Sequence, residues 1–66
     1  MEVIVNGLRK DVPTGTTVSG LLATEGLAGK PCAVEINKQV VPRRDHADRA
    51  LATGDVVELV TLVGGG

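Results

Sequence analysis

An α+β fold, with one helix packed on one face of a four- to five-stranded mixed sheet, is what these 66 residues predict. Three observations predict it. Met1, Val3 and Val5 alternate with Glu2, Ile4 and Asn6 and run into Asn6-Gly7, a pair that suits a two-residue hairpin turn because both positions need positive φ. Val18, Leu21 and Leu22 then fall at i, i+3 and i+4, the spacing of a single apolar helical stripe. Finally, Val56-Val57-Glu58-Leu59-Val60-Thr61-Leu62-Val63 is apolar on both faces, the mark of a strand in the middle of a sheet.

The elements follow in order. Residues 1–12 form a hairpin whose return strand is Leu8 to Val12, and its charged centre, Arg9-Lys10-Asp11, marks a sheet edge. Pro13-Thr14-Gly15 breaks the pattern. Thr16 or Thr17 caps a helix of about ten residues, too short to stand alone in water, and Gly26 ends it in the left-handed conformation. Cys32 to Asn37 is a third strand. Lys38 and Gln39 turn into a short fourth strand, Val40-Val41, stopped by Pro42. Arg43 to Ala50 is polar with mixed charge and forms an irregular loop or a single turn; Leu51 plugs into the core. Thr53-Gly54-Asp55 turns into the last strand, which lies beside the first. The order β-β-α-β-β-β is that of the β-grasp, or ubiquitin-like, architecture. The domain spans 1–63, and 64–66 form a flexible glycine tail.

Composition excludes several functions. A net charge of −1 and the absence of Phe, Tyr and Trp disfavour nucleic acid, whose recognition uses basic faces and stacking rings. No apolar run approaches the roughly 20 residues that span a bilayer. A single cysteine forms no internal disulfide, and no signal peptide is visible, so a cytoplasmic location is expected. A domain this small buries only about 60% of its unfolded surface. A large enclosed pocket would hollow out its core, which argues against a self-sufficient enzyme, and no catalytic residue is assigned.

Gly64-Gly65-Gly66 carries the most information. Two readings stand beside each other: a frayed or linker-like end, since such segments are flexible coil, and a functional tail. The second has a physical basis. Without Cβ atoms the tail threads a narrow channel in a partner, and its terminal carbonyl is open to a phosphate and to a later nucleophile. A terminal carboxylate is ionised at neutral pH. It can attack the α-phosphate of ATP to give an acyl-adenylate with AMP as leaving group.

The order and spacing of several segments resemble the thiamin sulfur carrier proteins, small ubiquitin-like proteins of bacterial thiamin biosynthesis. They are the opening strand with Asn6-Gly7, Thr16-Thr17-Val18 with Leu21-Leu22, Ile36-Asn37-Lys38-Gln39-Val40-Val41-Pro42-Arg43, Gly54-Asp55-x-Val57-Glu58, and the final Gly65-Gly66. The likeness runs over nearly the whole length. Two departures stand out. Relatives often carry an aromatic a few residues after Pro-Arg, where this chain has His46, and the tail has three glycines, of which the last two match the family diglycine.

The resemblance implies a mechanism. A ubiquitin-activating-type adenylyltransferase uses ATP to adenylate the Gly66 carboxylate. Sulfur from a cysteine desulfurase persulfide displaces AMP to leave a thiocarboxylate, and thiazole synthase takes that sulfur into the thiazole ring of thiamin. The chain binds no cofactor; the activating partner uses the ATP. Gly64 and Gly65 occupy the partner's channel, with Gly64 adding flexibility. Val60, Leu62, Val63 and Arg43 are the expected partner interface. On the last strand Val56, Glu58, Val60 and Leu62 share one face, and Val57, Leu59, Thr61 and Val63 the other. The face away from the helix is either an exposed aliphatic patch of the kind that marks an interface or is covered by loops.

Other residues have plainer readings. Cys32, with no base or helix N-terminus beside it in sequence, is inert packing. His46 is a solvated group with local ion pairs among Arg43, Arg44, Asp45, Asp48 and Arg49. No Cys/His cluster suggests a metal, and no Gly-rich strand-to-helix loop with a Lys suggests nucleotide binding. Alternatives are a carrier like the small subunit of molybdopterin synthase, whose chains are longer and richer in aromatics; a carrier for cysteine synthesis, tRNA thiolation or protein modification; and a non-catalytic β-grasp interaction domain.

Overall fold

The computed structural model describes residues 1–61; Leu62, Val63 and the three glycines, with the roles expected of them, lie outside the described residues. The first hairpin pairs β1 (Glu2–Val5) with β2 (Leu8–Asp11), in register from Val5 opposite Leu8 to Glu2 opposite Asp11. Asn6 (φ 49°) and Gly7 (φ 82°) make the turn, both left-handed as a two-residue connection requires. Val3 and Val5 point inward and are buried. β2 is an edge strand; its Lys10 reaches across to Glu25, with the ammonium 2.9 Å and 3.0 Å from the two carboxylate oxygens.

The helix, α1, covers Val18–Thr24, shorter than the expected ten residues. Its N-terminus explains why it holds. Of its first three backbone N–H groups, Val18 donates to the Arg49 carbonyl (2.9 Å), Ser19 to the His46 carbonyl (2.9 Å) and Gly20 to Thr17 Oγ1 (3.1 Å). Thr17 is therefore the cap, and the segment after Pro42 supplies the rest. At the other end Gly26 (φ 75°) reverses the chain. Its N–H bonds the Ala23 carbonyl and that of Leu27 the Leu22 carbonyl, the paired pattern that closes helices at glycine. Val18, Leu21 and Leu22 face the sheet.

A second hairpin joins β3 (Cys32–Ile36) to β4 (Gln39–Val40). Its turn is Asn37-Lys38 (φ 51° and 70°), one residue earlier than the expected Lys38-Gln39, because Asn tolerates the left-handed conformation that Gln disfavours. A single 3-10 turn, Arg43–Asp45, follows, and backbone bonds tie the chain to Ala50 onto the start of α1, including Leu51 N–H to the Thr16 carbonyl (2.9 Å). Leu51 fills the core as expected.

β5 (Val56–Thr61) then enters the middle of the sheet, whose order is β2-β1-β5-β3-β4. It lies parallel to β1 and antiparallel to β3. The architecture is the expected mixed sheet with one helix on one face, the β-grasp. The core is wholly aliphatic; Val3, Val18, Leu21, Val34 and Val57 are essentially sealed from solvent. Each such side chain contributes about 1.5–3 kcal/mol by burial.

Candidate functional site

Three strands, β5, β3 and β4, frame the described end of the tail-bearing strand. Inward-pointing Val57 and Leu59 are buried under α1. Val56, Glu58 and Val60 point to the opposite, uncovered face, so the expected aliphatic patch is exposed: Val60 is 56% accessible and Val40, on β4, 71%. The exposed Ala33 lies opposite Val60, and Cys32 lies opposite Thr61. Thr61, the last described residue, thus sits beside the start of β3.

Between β3 and β5 the uncovered face carries two like charges. Glu35 of β3 stands directly opposite Glu58 of β5, and both are exposed. Among the described residues neither takes part in an ion pair. Like charges directly opposite each other oppose sheet pairing, so the aliphatics are interrupted by a carboxylate pair that folding does not favour. Period-two alternation places each Glu on an outward face, but only the strand register brings them together.

On the helix side a groove of about 340 Å³ lies between α1, the turn after it and the Arg43–Ala47 segment. Lys30, Cys32, Arg43 and His46 line it. Arg43 is exposed but belongs to this groove, whereas Val60 belongs to the other side of the sheet. The structure therefore sets these two expected interface residues on opposite sides of the sheet. Cys32 is half-buried against the core, as the packing reading expects.

His46 overturns its reading as a solvated group. It is 7% accessible, its Nε2 lies 3.0 Å from the Val41 carbonyl, and its own carbonyl holds the Ser19 N–H of α1. The expected local ion pairs are also missing: Arg43, Arg44, Asp45, Asp48 and Arg49 form none with one another. Their segment is held by backbone hydrogen bonds, which hydropathy and charge patterns do not reveal.

Two further clusters escaped sequence reasoning. Asn37 Nδ2 donates to Asp55 Oδ1 (3.1 Å), and Asp55 Oδ2 accepts from the Ala52 N–H (2.8 Å). Asn37 Oδ1 in turn accepts from the Val56 N–H (3.0 Å). These residues sit in the Ile36-Asn37 and Gly54-Asp55 segments, so both segments serve as scaffold, at the end of β5 away from the tail. Asn6 does a similar job near the tail: its Oδ1 accepts from the Leu59 N–H (2.8 Å) and its Nδ2 donates to the Leu59 carbonyl (3.2 Å).

No group of three or more His, Cys, Asp or Glu positioned to hold a metal occurs among the described residues. No helix there is long and apolar enough to cross a membrane.

Comparison with known proteins places this geometry. The model of the ThiS family matches residues 3–66. The chain is 35% identical over 66 residues to a thiazole synthase of Paramagnetospirillum magneticum; all of the chain is covered, but it spans only 20% of that protein's length. It is 38% identical over 50 residues to the sulfur carrier protein ThiS of Bacillus subtilis, with 76% of each covered. The crystal structure of the thiamine biosynthesis protein (ThiS) from Geobacter metallireducens superposes with a TM-score of 0.83 at 30% identity, covering 100% of both chains.

Proposed function

The chain belongs to the ThiS family, and on that footing we propose that it is a sulfur carrier of thiamin biosynthesis whose cargo rides on the carboxylate of Gly66. It is a carrier and not a catalyst: its chemistry is that of one terminal carbonyl, and the groups that activate and consume it belong to partners. An adenylyltransferase of the ubiquitin-activating type joins that carboxylate to AMP with release of pyrophosphate. A cysteine desulfurase persulfide then attacks that carbonyl and displaces AMP to give an acyl disulfide, and a thiol reductant cleaves its S–S bond to release the thiocarboxylate, whose sulfur passes to thiazole synthase. ATP is consumed in the partner's site and not bound by this chain. The reading of thiazole synthase as a partner draws support from a relative of that name that contains a segment similar to the whole of this chain.

One observation carries the reading. The strand that leads to Gly64-Gly65-Gly66 is the central strand of the sheet, buried on its inner face, paired with β1 at its start and with β3 as far as Thr61. A tail hung from an edge strand would start from a frayed base. This one follows the central strand, with Val60 and Glu58 on the uncovered face of the sheet and Arg43 on the helix side. We place the partner contacts there, at Val60, Leu62, Val63 and Arg43, with Gly64 and Gly65 in the partner's channel.

The test is an intact-mass measurement. The protein is incubated with ATP, a sulfide source and an adenylyltransferase already able to charge another carrier of this family. Exchange of one oxygen for one sulfur is expected. It is lost when Gly66 is deleted, and lost when one residue is appended after it. An unchanged mass beside a charged control carrier refutes the assignment, and charging of the extended chain refutes the role of Gly66.

A further inference from the structure

We infer that Asn6 is a positioning residue for the activation step, holding the tail-bearing strand on its β1 side at Leu59; this rests on the sulfur-carrier reading. β1 ends at Val5, and its pairing with β5 covers Ile4 with Val56 and Val5 with Val57. The Asn6 N–H still bonds the Val57 carbonyl (2.9 Å). Then φ of 49° turns the main chain away into the hairpin. A parallel ladder would next offer the Asn6 carbonyl to the Leu59 N–H and the Leu8 N–H to the Leu59 carbonyl, and the turn removes both.

The Asn6 side chain replaces both of these backbone groups. A carboxamide carries the same donor and acceptor as a backbone amide. Here it accepts from the Leu59 N–H and donates to the Leu59 carbonyl. Peptide groups alternate sides along a strand. Val56 turns its own toward Asn37, which accepts from its N–H and donates to its carbonyl, so Leu59 turns its own toward β1. Asn6 is what they meet. Beyond Leu59, Val60 and Thr61 have register partners only on β3. Among the described residues the Asn6 clamp is thus the last hold on β5 from the β1 side.

Positioning of a reacting group acts on the rate of the chemical step, since small misplacements of a reactant cost large factors. The docking face is separate from the clamp, because Val60, Glu58 and Val40 take no part in it. Loss of the clamp should therefore lower the turnover of adenylation and leave KM for the carrier unchanged.

Two variants keep the turn, since Gly-Gly and Asp-Gly both suit this hairpin. Asn6→Gly removes the carboxamide. Asn6→Asp keeps an acceptor for the Leu59 N–H but sets a carboxylate oxygen against the Leu59 carbonyl. Hydrogen exchange at the Leu59 amide is read by NMR, and adenylation kinetics are read as pyrophosphate release with a family adenylyltransferase, at a temperature where every variant is folded. Asn6→Gly is expected to speed exchange at Leu59 at least tenfold and lower kcat about tenfold at constant KM, with Asn6→Asp intermediate in both. Unchanged exchange at Leu59, or faster exchange with wild-type kcat, overturns the inference. If the unaltered protein itself is not adenylated, the sulfur-carrier reading fails, and the exchange arm still reports on the clamp.

Discussion

Asn37 and Asp55 join the turn before β4 to the turn before β5, and their coupling is measurable by a double-mutant cycle. Asp55 is buried, and its carboxylate holds the Ala52 N–H at 2.8 Å and Asn37 Nδ2 at 3.1 Å. Hydrogen bonds to charged groups are worth about 1.5–3 kcal/mol each. Both bonds are partly open to solvent, so the lower end applies and Asp55→Ala should cost about 2–3 kcal/mol. Asn37→Gly keeps the left-handed backbone at φ 51° and removes the amide, costing about 1–2 kcal/mol through the bonds to Asp55 and Val56. The double variant should lose about 1 kcal/mol less than the sum, because the shared bond is counted twice. In a domain of this size 1 kcal/mol shifts Tm by about 4–8 °C, so Asp55→Ala should melt about 10–20 °C lower. Urea unfolding followed by far-UV circular dichroism gives all four corners of the cycle. Strict additivity would sink the argument, as would slower charging by a folded Asp55→Ala protein, since the pair lies away from the tail.

Two other substitutions separate surface from scaffold. Val60→Asp adds a carboxylate beside Glu35 and Glu58; stability should stay within about 0.5 kcal/mol, while KM for the carrier in adenylation rises at least tenfold, and unchanged KM would remove this face from the interface. His46→Ala leaves the Val41 carbonyl unpartnered and opens space beside α1, so chemical denaturation should show a loss of about 2–3 kcal/mol; a loss under 0.5 kcal/mol would return His46 to the surface.

Much of the fold was legible because short-range physics governs it. Asn6-Gly7 announces its turn through two positive φ angles, and Val18, Leu21 and Leu22 announce a helical face. The central place of β5 was read from its two apolar faces; one of them is exposed at Val60, and what makes the strand central is its pairing with β1 and β3. What stayed hidden depends on contacts between distant segments. His46 looks like a surface residue among charges until its ring meets the Val41 carbonyl and its backbone meets α1. Asn6 and Asn37 look like turn residues, and they are; their amides also complete ladders on strands that local windows do not connect. Of the candidate site, Val60 and Arg43 could be located, while Leu62, Val63 and the glycines lie outside the described residues.

The pairing of β1 with β5 also sets when the fold can form. Asn6 and Leu59 are 53 positions apart, and β3 too waits for β5 before it has a partner on its inner side. Closing so long a loop must precede any reward from those contacts, which slows folding relative to a helical chain of equal length. During synthesis from the N-terminus, the hairpin, the helix and β3 emerge with no centre to assemble on. The sheet closes only after β5 is made, so a chain interrupted before that strand has no closed core to display. Completion of the platform and delivery of the segment that follows it are thereby one event in the life of the protein.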